Sequence, residues 1–133
     1  MNVKGMFVAT LEAARHIGTG GRIINIGSIN SDFIPLSGGV LYALTKAAVA
    51  GLTRGLARDL GPRGITINNV QPGPVNTDMN PATGRFAAEA LRHIAIERYA
   101  QSAEIADFVA YLASPGSSFI TDASLHIDGG YSA

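Results

Sequence analysis

The chain has 133 residues, 47% of them apolar and 15% charged, which suits one globular domain around one core and not a disordered segment. Its formal net charge is zero, so nothing in the sequence points to a polyanion such as nucleic acid. It has no cysteine, which excludes a disulfide framework, a thiolate metal site and a thiol nucleophile.

No stretch is apolar for long enough to span a membrane. Lys46, Arg54, Arg58 and Asp59 interrupt the nearest candidate, around Val40–Leu60. Glu12 and Arg15 break the first apolar run, so it does not read as a secretory signal. The expectation is a soluble, cytoplasmic protein.

The first helical pattern runs from Asn2 to His16, with Val3, Phe7, Leu11 and Ala14 on one stripe. Gly18-Thr19-Gly20-Gly21 stops it. Arg22–Ile26, with three isoleucines, reads as a strand buried on both faces. A polar loop, Ser28 to Gly39, follows. Val40 to Leu60 is a long helix, apolar nearly all round, with a small-residue stripe at Ala43, Ala47, Gly51 and Gly55. Packing on the chain's own sheet would account for one of its faces only. Ile65 to Val70 is a second buried strand and runs into the loop Gln71–Asp78. Pro81 to His93 is read as a weakly patterned helix. Ser102 is the expected N-cap of a helix through Leu112, and Ala123 to Ile127 is the third strand.

Strands alternate with helices, which predicts an α/β fold of parallel strands joined by right-handed crossovers. Ligands in such sheets bind beyond the C-terminal strand ends. The Ser28 loop and the Pro72–Asp78 loop both fall there.

Tyr42 and Lys46 lie four apart on one helix, so they share a face, with Cβ atoms about 6 Å apart. A free tyrosine has a pKa of about 10, and a nearby ammonium favours the phenolate. Such a tyrosine can exchange a proton with an alcohol or carbonyl near neutral pH. Average residue usage alone would place Tyr-x-x-x-Lys in about a fifth of chains this long, so the pair by itself also fits two unrelated helix residues. The context is more specific. The strand Arg22–Ile26 delivers Ser28 to its C-terminal end just before the helix of Tyr42, and a hydroxyl there can bond the same substrate oxygen. His93 and His126 lack ligand spacing, so no metal site is expected. His16 sits near a helix C-terminus, where an imidazolium is favoured without catalysis. Tyr99 and Tyr131 read as packing or substrate-rim residues.

Several blocks carry a family resemblance. Ile23-Ile24-Asn25-Ile26-Gly27-Ser28, Tyr42-Ala43-Leu44-Thr45-Lys46, Ile67-Asn68-Asn69-Val70-Gln71-Pro72-Gly73 and Asp128-Gly129-Gly130 resemble successive blocks of the short-chain dehydrogenase/reductase family, in its order and near its spacing. The likeness covers the whole chain and is of the 3-oxoacyl-carrier-protein-reductase type. It implies the C-terminal half of a doubly wound, Rossmann-like fold with three parallel strands. It implies an NAD(P)-dependent oxidoreductase acting on a small-molecule carbonyl or secondary alcohol. Tyr42 would give or take the proton, and Lys46 would tune it and bond the nicotinamide ribose. Ser28 would orient the substrate oxygen, and Asn2 would hold a relay water. Pro72, Gly73, Val75 and Thr77, with Tyr42 and Lys46, would contact the NAD or NADP. The resemblance also implies a homo-oligomer through the helices Asn2–His16 and Val40–Leu60.

Three features depart from the family. The Ser28-to-Tyr42 interval is one residue longer than its commonest spacing. Asp122 stands where glycine is usual. No Gly-rich strand-to-helix turn for a pyrophosphate is found in the 133 residues. The expectation is therefore a partial domain over 1–133, inactive by itself, with an open apolar edge on the strand Arg22–Ile26. The rival expectation is a truncated, incompetent fragment that acts only as an oligomerisation partner. A simple binding module has no sequence feature in its favour.

Overall fold

A computed structural model describes residues 2–35 and 37–133 of the chain. Leu36, inside the expected Ser28–Gly39 loop, lies outside the described residues. In chain order the elements are α1 (Asn2–His16), β1 (Arg22–Ile26), α2 (Val40–Leu60), β2 (Thr66–Pro72), β3 (Val75–Asn76), α3 (Ala87–Leu91), β4 (Ala100–Gln101), α4 (Ser102–Ala113) and β5 (Ser124–Ile127). The α/β class is as expected. β1, β2 and β5 form a parallel sheet in the order β1-β2-β5, with Ile23 opposite Ile67 and Gln71 opposite His126.

β2 is the central strand, and its residues Thr66 to Gln71 are all buried. β1 departs from expectation. Ile23 and Asn25 are buried, but Ile24 is half-buried and Ile26 is exposed. Alternate residues of a strand point to opposite faces, and only one face of β1 meets the α1–α2 core. That core joins Ala14, Ile23, Leu56, Ala57, Leu60, Ile65 and Ile67. Among the described residues β1 pairs only with β2, so its other edge is open.

The α1 stripe also settles differently from its pattern. In α1, Thr10 and Ala14 are buried, whereas Val3 and Phe7 remain about half exposed. In α2, Val49, Thr53, Leu56, Ala57 and Leu60 turn inward with Ala43, while Ala47, Gly51 and Gly55 face outward. The small-residue stripe is therefore not packed on the sheet. Arg63 ties the two helices together: its guanidinium donates to the carbonyl of Ala14 at 2.6 Å and to that of Ile17, near the carbonyl end of α1.

The region read as a helix over Pro81–His93 is helical only from Ala87 to Leu91. The Pro81 carbonyl instead accepts the N–H of Gly84 at 2.8 Å in a turn. The short parallel pair β3–β4, Val75 with Ala100 and Asn76 with Gln101, was not expected, because two-residue strands leave no alternation to read. Gln101, not Ser102, caps α4.

Glu104 closes that cap by accepting the N–H of Gln101 at 2.8 Å, and it pairs with both terminal nitrogens of Arg98 at 2.7 Å. The Arg98 hydrogen bonds, helped by that N–H, pull the Glu104 carboxyl from 4.5 to about 2. A lowered folded-state value supplies stability that is present above the ordinary glutamate range and is lost as pH falls from 4.5 towards 2. An NMR titration of the Glu104 carboxyl is expected to give a midpoint near 2, returning most of the way to 4.5 in Arg98→Met. A midpoint that stays low in that variant would assign the effect to the Gln101 N–H.

The chain before β5 is strapped to β2. Asn68, 1% exposed, donates Nδ2 to the Ile120 carbonyl at 2.8 Å and accepts the Ala123 N–H on Oδ1 at 3.1 Å. Between these points Asp122 sits at φ 61°, and its N–H reaches the Ile67 carbonyl at 2.9 Å. That left-handed backbone is where glycine is at ease and where aspartate is among the better-tolerated alternatives. Asp122 thus occupies its unusual position without a change of path.

Candidate active site

The C-terminal ends of β1 and β2 lie side by side, and the loops leaving them build a cavity of about 600 Å³. Ser28 and Asn30 line it from the β1 side, Pro72, Gly73 and Pro74 from the β2 side, and Tyr42 from α2. Met79 and Phe86 from the loop before α3 complete it, with Tyr99 and Tyr131. Burial raises the phenol pKa of both these tyrosines, and they sit in a cluster with Ile29, Ala87, Ala90 and Ile94. They are packed wall residues, as their sequence context suggested.

Ser28 is 7% exposed. It opens a 3-10 turn, Ile29–Ser31, and its Oγ accepts the Asn30 N–H at 3.2 Å. Its own O–H donates to no other group among the described residues and remains available to a ligand. Tyr42 is 48% exposed and faces the same cavity. The Lys46 ammonium lies 5.6 Å from the Tyr42 ring centroid and donates to the Ile26 carbonyl at 3.2 Å, anchoring the α2 face to the end of β1. The helical spacing thus leaves the two side chains together, and the strand end holds Lys46 in place.

A second groove, of about 790 Å³, runs between α1 and α2 over β1. Asn2, Asn25, Tyr42, Thr45, Lys46 and Met79 line it. Tyr42 and Met79 border both spaces, so Asn2 and Ser28 lie on opposite approaches to one tyrosine. Of the other residues singled out from the sequence, Pro72 and Gly73 line the first cavity. Val75 is held in β3 by the ladder to Ala100, and Thr77 Oγ1 accepts the Asn80 N–H at 3.2 Å; neither lines these two spaces.

Gly73 has a steric reason. A Cβ there would come within 2.7 Å of the Asp128 Cα, where the turn after β5 crosses the end of β2. Asp128 itself is fixed. Burial would raise its carboxyl, but the Ser132 hydroxyl and the N–H groups of Gly130 and Ser132 outweigh that and bring it below the usual range.

Sequence reasoning passed over Met79, Phe86, Ser31 and Gln71. Met79 and Phe86, both exposed, fall in a segment without periodicity, where nothing in the sequence says which side chains border a cavity. Ser31 and Gln71 are separated by 40 positions and meet only through the sheet.

A parallel α/β sheet that presents a hydroxyl at one strand end and a Tyr–Lys pair on the next helix places this chain in the Rossmann-like class of folds. The family model described as enoyl-(acyl carrier protein) reductase matches residues 1–132. A short-chain dehydrogenase/reductase from Serratia marcescens superposes with a TM-score of 0.97 at 59% identity, over 99% of this chain and 54% of its own. A short-chain dehydrogenase from Burkholderia cenocepacia, solved with NADP, gives 0.97 at 48% identity, over 99% and 54%. The cyclic-di-GMP-binding biofilm dispersal mediator protein of Escherichia coli is 50% identical over 133 residues, all of this chain and 56% of its own. The chain belongs to the short-chain dehydrogenase/reductase family and spans about half the length of these relatives.

Among the described residues no helix is long and apolar enough to cross a membrane, and no group of three or more His, Asp or Glu is placed to hold a metal ion.

Proposed function

We propose that this chain is the catalytic half of an NAD(P)-dependent oxidoreductase that interconverts a carbonyl and a secondary alcohol. The observation that carries the reading is the meeting of Ser28 and Tyr42 on one cavity, with Lys46 beside the Tyr42 ring. The donor set fits the nicotinamide-ribose end of the cofactor. It offers the Tyr42 phenol, which borders both spaces, and the Lys46 ammonium of the adjoining groove for ribose hydroxyls, with Pro72 and Gly73 on the cavity wall. On the family pattern Val75 and Thr77 would join them after the loop adjusts. When bound, the nicotinamide supplies or accepts the hydride.

The chain's own groups handle the proton. In the reducing direction the Tyr42 O–H donates its proton to the substrate oxygen as negative charge builds there. The Ser28 O–H, already fixed at its oxygen by the Asn30 N–H, donates a hydrogen bond to the same atom. Lys46 holds a positive charge 5.6 Å from the centre of the Tyr42 ring. Asn2, on the far approach to Tyr42, would hold a water that resupplies the proton. Met79 and Phe86 give the substrate side an apolar wall.

The pyrophosphate in such folds is held on a Gly-rich strand-to-helix turn, a motif that the 133 residues do not contain. Such remote contacts supply much of the binding energy that positions the reacting carbon. The chain alone is therefore expected to bind NADPH only weakly and not to turn over. Joined at its N-terminus to the dinucleotide-binding half of the Serratia relative, it is expected to oxidise NADPH with a ketone panel. A joined chain that binds NADPH but reduces no carbonyl would sink the reading. The setting proposed is cytoplasmic, with self-association through α1 and α2, whose Val3, Phe7, Ala47 and Gly51 stand exposed. The likeness to the Escherichia coli protein supports a second reading, cyclic-di-GMP binding, and a calorimetric titration with that nucleotide separates the two.

A further inference from the structure

Ser28 does not hold its own position. Its carbonyl accepts the Ser31 hydroxyl at 2.9 Å, and the Ser31 Oγ in turn accepts the Gln71 side-chain amide. With the Ser31 O–H donated to Ser28, the Ser31 oxygen meets Gln71 as an acceptor, and the Gln71 amide lies with Nε2 towards Ser31. Gln71 is fully buried at the end of β2, the most enclosed strand of the sheet. Its Oε1 is also buried and meets no partner. A buried amide that leaves one atom unsatisfied costs stability, and leucine would fill the same space without that cost. The side-chain amide makes one hydrogen bond among the described residues, and that bond leads to Ser28.

We propose that Gln71 and Ser31 are positioning residues for Ser28: a two-step relay carries the rigidity of β2 across to the turn that aims the Ser28 hydroxyl at the substrate oxygen. The relay explains why Ser28 can sit on a loop and still keep one orientation. Its Oγ is tied by Asn30 N–H, its carbonyl by Ser31, and Ser31 by the sheet. The His126 ring adds a tie from β5 to Asp32, the residue after Ser31, at 3.2 Å, but that contact is exposed and tethers the far end of the turn. The proposal rests on the oxidoreductase reading for its functional consequence, though not for its geometry.

Amide hydrogen exchange on the 133-residue chain tests the geometry directly. Gln71→Leu and Ser31→Ala are each expected to speed exchange at the Asn30 N–H by about tenfold or more, with the Leu56 N–H of α2 unchanged. Ser31→Thr, which keeps the hydroxyl, is expected to restore the slow rate. Asn30 exchange that does not respond, or that responds only in step with Leu56, overturns the relay. In the chain joined to a dinucleotide-binding half, Gln71→Leu is expected to lower kcat about tenfold with the KM for NADPH unchanged, and to add nothing in a Ser28→Ala background. An additive loss, or a KM effect alone, overturns the positioning role. If the unsubstituted joined chain is inactive, the oxidoreductase reading fails, and the exchange rates still decide the relay.

Discussion

Replacing Tyr42 by phenylalanine is expected to lower kcat by about 10²- to 10⁴-fold in the chain joined to a dinucleotide-binding half, with NADPH affinity nearly kept. The substitution removes one hydroxyl and leaves the ring. Tyr42 is 48% exposed, so little packing is lost, and Lys46 keeps its bond to the Ile26 carbonyl. The effect therefore falls on proton transfer and not on the fold. Ser28→Ala is expected to cost less, because it removes a hydrogen bond to the substrate oxygen and not the proton source. The check is steady-state kinetics beside a thermal melt. A Tyr42→Phe protein that melts like the parent and keeps its kcat would move the proton donor elsewhere, and Tyr99 and Tyr131 in the same cavity wall would be the next to test.

Asn68→Ala is expected to have the largest effect on stability, about 2–4 kcal/mol. Asn68 is 1% exposed and bonds two backbone groups on either side of Asp122, at 2.8 and 3.1 Å. Alanine leaves the carbonyl of half-buried Ile120 and the N–H of half-buried Ala123 without their side-chain partner, and it opens a small void in β2. The strap also brings the chain into β5, which pairs with β2 from Asn69 onward. Its loss would loosen the turn at Asp128 that packs on Gly73, so the cavity should suffer with the fold. Chemical denaturation is the measure. A loss under about 0.5 kcal/mol would mean that water replaces both bonds and that the strap is dispensable.

The candidate site was legible because its spacing is local. Tyr42 and Lys46 share a face through helical periodicity alone, and Ser28 follows a strand whose isoleucines announce it. The sheet order was partly legible too, since strands that alternate with helices run parallel and the middle of the three became central. The long apolar helix was read in outline only. Its pattern says that the sheet covers one face, and only the structure shows that the stripe at Ala47, Gly51 and Gly55 lies on the other, facing outward. The strand Arg22–Ile26 carried the pattern of a two-faced buried strand, yet one of its faces stays half open here.

What the sequence determined by itself was everything that depends on neighbours along the chain: the α/β alternation, the helix that carries Tyr42 and Lys46, the glycine turns and the exclusion of cysteine chemistry. Tertiary structure decided what depends on distant residues. It joined Gln71 to Ser31 across 40 positions, fastened Asn68 around Asp122, and brought Met79 and Phe86 to the rim of the cavity that Ser28 lines. It also pressed Asp128 against Gly73. The physical reason is the same in each case: a hydrogen bond or a close contact between segments has no period, so only the packed chain specifies it.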